Sequence, residues 1–269
     1  SQITRSDVAA IHGGITRQIK TTKKTKPGHP PKYKSGGTAN RILALVSSIF
    51  GWGFTAGLCE VNPARGIKKN PERSRDRFIQ SDELPRFFKS LEAEENTTIR
   101  DYVLMSLLTG ARRENVMSMR WDQISFERKE WRIPRTKNDE PQTVPLGEET
   151  IQVLNGRKDN VSDFVFPGPG KKGYMAESRR GWKRILQRAD IQDLRIHDLR
   201  RTLGSWQAKT GASLVIIGKS LNHKSLTATQ IYSRLDLDPV RQSVERATSA
   251  MLEAAGIKKL AQPHQSARS

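Results

Sequence analysis

The amino-acid sequence predicts a mainly α-helical chain with one small antiparallel β-sheet, arranged as two domains. Three observations predict this. Apolar residues keep helical spacing over 38–58 and 97–110. Residues 123–146 instead alternate short runs containing Ile, Phe, Trp and Val with polar turns, the pattern of a small sheet. Between these regions, "RGIKKNPERSRDRF" (65–78) is basic and poor in apolar residues, as an interdomain linker is.

The elements follow in order. "SQITRSDVAAI" opens at Ser1 inside what reads as an ongoing element, which fits a fragment of a longer protein or N-terminal processing. "KTTKKTKPGHPPKYKSGG" (20–37) is a basic Gly/Pro loop. Thr38 is positioned to cap the next helix, whose spacing is carried by Ile42, Leu45, Val46, Ile49 and Phe50. Asn62-Pro63 ends that region. Ser81 is placed as the cap of a helix with Pro85 in its first turn. "TTIRDYVLMSLLTG" is an apolar helix stopping at Gly110, and a short helix with Val116 and Met119 follows. After the sheet the pattern is helical again, with one short strand expected at "DFVF" (163–166). The last helix is expected over 238–256. Val240, Val244, Ala247, Met251 and Leu252 give it an apolar stripe suited to docking on a neighbouring protomer. The expected domains are 1–70 and 79–239, joined by a linker at 71–78 and followed by a C-terminal helix and tail at 240–269.

Charge narrows the function. The 269 residues carry 47 Lys and Arg against 28 Asp and Glu, a net of +19. Such a surface attracts polyanions, of which nucleic acid is the commonest. The excess is concentrated at the front: residues 1–77 hold 15 Lys and Arg against 4 Asp and Glu, a net of +11. That segment suits a phosphate clamp, and Lys34, Asn40, Arg41, Lys68 and Lys69 are its candidate DNA contacts. No apolar run is long enough to span a membrane. A single cysteine, Cys59, excludes a disulfide framework and fits a reducing cytoplasm. No cluster of side chains has metal-ligand spacing, and "GPGKKG" (168–173) lacks the spacing of a nucleotide-binding loop.

Four stretches carry chemistry. "LLTGARRENV" sets Arg112 and Arg113 after a glycine turn at a helix start, where an anion is favoured. "RTKNDEPQTVPL" has Lys137 between two strands. "RIHDLRRTLGSW" (195–206) places His197 and Arg200 three apart, on one helical face, with Leu199, Leu203 and Trp206 opposite. "SLNHKSLTATQIYSRL" supplies His223 and then Tyr232, which turns away from Ile231 and Leu235 if those two pack. Each stretch also has a plainer reading: a surface pair of arginine with Glu114, a solvated lysine, a tyrosine with its ring buried.

Their order is the specific signal. T-G-x-R, a hairpin lysine, H-x-x-R, a second histidine and T-x-x-Y together resemble the catalytic region of the tyrosine recombinases, the phage-integrase family, over about residues 38–252. The resemblance implies a helical core-binding domain in front of a mixed α/β catalytic domain. It implies that Arg112 and Arg200 grip a phosphate, that Lys137, His197 and His223 assist, and that Tyr232 is the nucleophile. It further implies double-stranded DNA as substrate, a homotetramer on paired sites, accessory DNA-bending proteins, action at the bacterial nucleoid, and no metal, ATP or other cofactor. Two positions depart from the family pattern. Asn115 stands where an acidic residue is usual, and Asn222 precedes the second histidine where glycine is common.

The residue types suit this chemistry. Without a metal, two guanidiniums can hold both non-bridging oxygens and stabilise the added charge of a pentacoordinate phosphorus. A tyrosine hydroxyl needs a base at neutral pH, and the leaving 5′ oxygen needs an acid. His197 and Lys137 match those roles, and His223 matches a hydrogen bond to the phosphate. Two alternatives share part of the pattern: a type IB topoisomerase, which reseals the same strand, and a non-catalytic DNA-binding protein.

Overall fold

The computed structural model describes residues 3–21, 36–72, 75–136, 140–158, 162–234 and 238–254. The chain divides into two compact units, Ser1–Arg75 and Asp76–Ser269.

The first unit pairs helices α1 (Arg5–Thr21) and α2 (Gly36–Thr55). Val8, Leu43 and Ala64 are buried between them, with Val46 and Ile67 packed alongside. α2 begins at Gly36, so Thr38 lies inside the helix rather than capping it. The expected apolar face is also shifted: Leu45 and Ile49 are 60% and 56% exposed. α2 is apolar around much of its circumference, so the side that α1 covers, rather than periodicity, selects the buried face. Asn40 is a further correction. At 5% exposure it points into the unit, not toward a ligand. Its side chain accepts from the Asn70 N–H (2.8 Å) and donates to the Asn70 carbonyl (2.9 Å) and to Glu72 (2.6 Å), while His12 lies 3.1 Å from its oxygen. These bonds satisfy a buried amide and fasten residues 70–72 to α2.

The second unit is built around α4 (Thr97–Thr109), which packs against α6 (Glu148–Asn155) and α8 (Asp198–Lys209). The Asn96 side chain caps α4 by accepting from the Ile99 N–H, and Gly110 ends it at φ 58°. α3 (Leu84–Glu92) and α7 (Arg179–Arg188) pack together beside it. Glu83, not Ser81, occupies the cap position of α3, and its carboxylate is engaged by Arg77 and the Gln80 N–H. The sheet runs β1 (Ile124–Ser125), β2 (Glu130–Ile133), β3 (Gln142–Pro145), all antiparallel. Trp131, Ile133 and Val144 face the core while Arg132 and Thr143 face out. Residues 163–166 form a single bridge, Arg120 to Phe164, rather than a strand. Val165 and Phe166 are apolar because they fill the core, not because they pair. α5 (Arg113–Met117), α9 (Leu214–Ser220), α10 (Leu226–Thr229) and α11 (Asp238–Ala254) complete the unit. Val244 and Met251 of α11 are exposed.

Candidate active site

The site forms where α4 ends and α8 begins. Gly110 takes a left-handed conformation, and a Cβ there would lie 2.8 Å from the side chains of Leu203 and Leu221. Only glycine meets both conditions without strain. The turn delivers Arg112 to the cap position of α5 in extended backbone. It also leaves the Gly110 carbonyl, at the end of α4, free to accept a hydrogen bond. Arg200, on the first turn of α8, donates to that oxygen at 2.6 Å. Arg112 donates through Nη2 to the Asn222 carbonyl at 3.0 Å, and its Nη1 is buried with no hydrogen-bond partner.

Neither guanidinium has a carboxylate partner among the described residues. Arg200 is 5% exposed. Burial first, and then the charge of Arg112, bring its pKa down to about 10. Burial also lowers the pKa of Arg112. Two partly desolvated guanidiniums, one with an orphaned donor, form a cradle with the chemistry to hold an anion.

The histidines and the tyrosine line the same place. His197 caps α8 by position but makes no capping bond. Asp198 instead fastens the preceding turn, accepting from the Arg195 N–H and pairing with Arg201. Burial, then Arg200 and Arg201, depress the pKa of His197, so its ring is a free base at neutral pH. His223 is pushed down to about 4 by burial and by Arg200, Arg112 and His197. Its Nδ1 lies 2.9 Å from the Thr229 hydroxyl. Its ring stacks parallel to that of Tyr232, centroids 6.2 Å apart.

Tyr232 does not turn away from Ile231, since the two share one apolar cluster, and its ring is buried as the plainer reading expects. It is 3% exposed, packed with Ile217 and Leu221, with Ile231 alongside. Residues 230–234 form a 3₁₀ turn, whose three-residue repeat differs from helical spacing. The ring occupies a slot over Gly204, where a Cβ would come within 2.5 Å of Tyr232 Cζ. Burial raises the Tyr232 pKa, against the opposing pull of Arg200 and Arg201. Leu235 lies outside the described residues.

The structure thus brings Arg112, His197, Arg200, His223 and Tyr232 together. Lys137 and Lys34 lie outside the described residues. Arg41, Lys68 and Lys69 are exposed on the first unit. Of the apolar stripe on α8, Leu199 is fully buried, Leu203 packs beside Tyr232, and Trp206 is half-buried under Lys209. Asn115 is half-buried, and its Nδ2 has no partner.

Sequence reasoning missed three supports. Gln142 of β3 donates to the Ser220 carbonyl and accepts from the Asn222 amide, joining the sheet to the loop before His223. Asn222 has φ 49°, a region that suits glycine and asparagine, which explains asparagine where the family often has glycine. Gly204 has no local signature, because its need arises from a ring 28 residues away. Among the described residues there is no cluster of potential metal ligands and no helix long and apolar enough to cross a membrane.

The model of the phage integrase family matches residues 77–238, which contain the whole of this site. The chain belongs to that family. Among curated relatives, the prophage integrase IntF of Escherichia coli (strain K12) is 29% identical over 189 residues, 68% of this chain and 40% of its own length. A shufflon-specific DNA recombinase of Escherichia coli is 29% identical over 208 residues, 75% of this chain and 52% of its own. The chain therefore spans about half the length of these integrase-family relatives. The fold is similar to that of a lambda integrase fragment solved as a dimer bound to a core site. The TM-score is 0.66 at 16% identity, over 85% of this chain and 81% of that one.

Proposed function

We propose that this chain is the strand-cleaving and rejoining part of a site-specific DNA recombinase. The observation that carries the reading is the Arg112–Arg200 cradle, anchored on main-chain carbonyls and without a carboxylate partner among the described residues, with a base and a tyrosine beside it. Family membership and the recombinase and integrase names of the relatives support it.

In this mechanism the scissile phosphate enters the cradle. Arg112 and Arg200 take its non-bridging oxygens, and the orphaned Nη1 of Arg112 gains an acceptor. His197, neutral at pH 7, accepts the Tyr232 proton as the phenolic oxygen attacks phosphorus. The bond to the 5′ oxygen breaks, and Lys137 protonates that leaving group. Lys137 lies between Thr136, whose N–H donates to the Glu140 carbonyl, and β3, which Gln142 ties to the loop before His223. His223 donates a hydrogen bond to the phosphate. The product is a 3′-phosphotyrosyl bond and a free 5′-hydroxyl. A 5′-hydroxyl from another strand reverses the step, with no metal or ATP.

The first unit, with exposed Arg41, Lys68 and Lys69, supplies phosphate contacts on the same duplex. The exposed apolar residues of α11 support docking on a second copy, within a tetramer on paired sites. The dimer in the lambda integrase structure supports assembly on DNA.

Trapping on a duplex library and sequencing the captured ends tests the reading. A covalent adduct is expected for the parent chain and none for Tyr232→Phe, with DNA affinity nearly unchanged. An adduct that survives the substitution overturns the role of Tyr232. Joining of two different duplexes separates a recombinase from a type IB topoisomerase, and absence of any adduct favours a non-catalytic binding protein.

A further inference from the structure

T-x-x-Y contributes Thr229 as well as the tyrosine, and the mechanism above gives that threonine no task. Thr229 closes α10 and is fully buried. Its hydroxyl lies 2.9 Å from His223 Nδ1, and among the described residues it has no other hydrogen bond. A hydroxyl has one proton to give and can also accept. If Nδ1 carried the ring proton, Thr229 would accept it, and its own O–H would be left buried without an acceptor. If Thr229 donates to the Nδ1 lone pair, both groups are satisfied. A lone pair at Nδ1 puts the proton of a neutral ring on Nε2.

We infer that Thr229 is a positioning residue that fixes His223 as its Nε2–H tautomer, so that an uncharged ring presents a hydrogen-bond donor to the phosphate in the Arg112–Arg200 cradle. For its substrate the inference rests on the recombinase reading. For its geometry it rests on contacts that exist without DNA. The ring has little freedom to escape this arrangement. The His223 N–H donates to the Gly218 carbonyl at 2.9 Å, and one face of the ring lies parallel to Tyr232. α9 comes so near that a Cβ at Gly218 would stand 3.2 Å from the Thr229 oxygen. Burial and the flanking Arg200, Arg112 and His197 keep the ring uncharged at neutral pH, so its donor must come from tautomer choice and not from a second proton. The four-residue motif then has two outputs: the nucleophile and the aim of a phosphate donor.

Long-range proton–nitrogen correlation on the histidine-¹⁵N-labelled full chain at pH 7 reads the tautomer directly, with His223→Gln assigning the signal. The Nε2–H pattern is expected in the parent and in Thr229→Ser. Thr229→Val, which removes the hydroxyl and keeps the shape, is expected to give mixed tautomers. Its single-turnover cleavage of the trapped duplex should fall about tenfold, the worth of one aligned hydrogen bond. Thr229→Ser should restore cleavage. In a His223→Ala background, Thr229→Val should cost nothing more. An Nδ1–H ring in the parent overturns the inference. So does an unchanged signal and rate in Thr229→Val, or an equal loss in the His223→Ala background. A parent chain that forms no covalent complex strikes the recombinase reading alone, since the tautomer of His223 is read without DNA.

Discussion

Arg112, half-buried, and Arg200, buried, are held by hydrogen bonds to the backbone carbonyls of Asn222 and Gly110. Tyr232, in the same site, is held by packing: a ring in a slot over Gly204, against Ile217, Leu221 and the His223 face. The two kinds of attachment differ in direction. A hydrogen bond to a fixed carbonyl sets both place and orientation, whereas apolar contact is non-directional and allows a ring to slide out and return. The part that must be ready before substrate arrives is therefore rigid. On the proposed mechanism, the part that has to reach phosphorus is held by packing alone.

The largest test of this contrast removes a rigid member. Arg200→Ala is expected to slow covalent-complex formation by about 100- to 1,000-fold, the cost of deleting one preorganised charge-stabilising donor. Single-turnover trapping measures it, and a retained rate would remove Arg200 from the cradle. Lys137→Ala is expected to lose about 100-fold on an ordinary duplex, at the low end for a lost general acid. A bridging 5′ sulfur leaves without a proton, so it should restore Lys137→Ala and leave Arg112→Ala and Arg200→Ala slow. If sulfur does not help, the lysine is only a phosphate contact.

Smaller effects separate the two seats. Gly110→Ala forces a side chain into a left-handed residue and into Leu203 and Leu221, and should destabilise the fold by about 1–3 kcal/mol. Gly204→Ala meets Tyr232 and Leu221 but carries no left-handed backbone penalty, so it should cost about 1 kcal/mol, less than Gly110→Ala, while making Tyr232 reactive to nitration. Thermal denaturation and mass spectrometry read both. Equal destabilisation by the two alanines would erase the contrast. The smallest effect is on pH. His223 protonates near 4 in the folded chain and near 6.5 when free. The unfolded chain therefore binds the extra proton, and stability is full above pH 6.5 and falls as pH drops toward 4. His223→Gln should flatten the fall in Tm between pH 6.5 and 4.5. His197, shifted the same way, keeps some slope. An unchanged slope would show that His223 is not shielded.

Legibility in the sequence followed the range of the interactions. The helix ending at Gly110, the three-stranded sheet and the order of motifs are written in neighbouring residues, and the fold returns them. Features decided by distant partners were hidden. The cap at Glu83 rather than Ser81 is an exception, since its partners Arg77 and Gln80 are close in sequence. Asn40 reads as a polar surface residue beside Arg41, but Asn70 draws its amide inward. Val165 and Phe166 look like a strand because burial and pairing select the same side chains. The seat of the Tyr232 ring is made by Gly204 on another helix, and no residue near the tyrosine announces it.

The two anchors of the cradle have a consequence for how this site drifts under mutation. Both acceptors belong to the main chain, so no single codon change can delete them. Inheritance need only preserve a backbone shape, left-handed at 110 and at 222. Glycine meets that demand at the first position. At the second, asparagine meets it, and the carbonyl is delivered to Arg112. The side chains around the two guanidiniums can thus vary while their main-chain anchors persist.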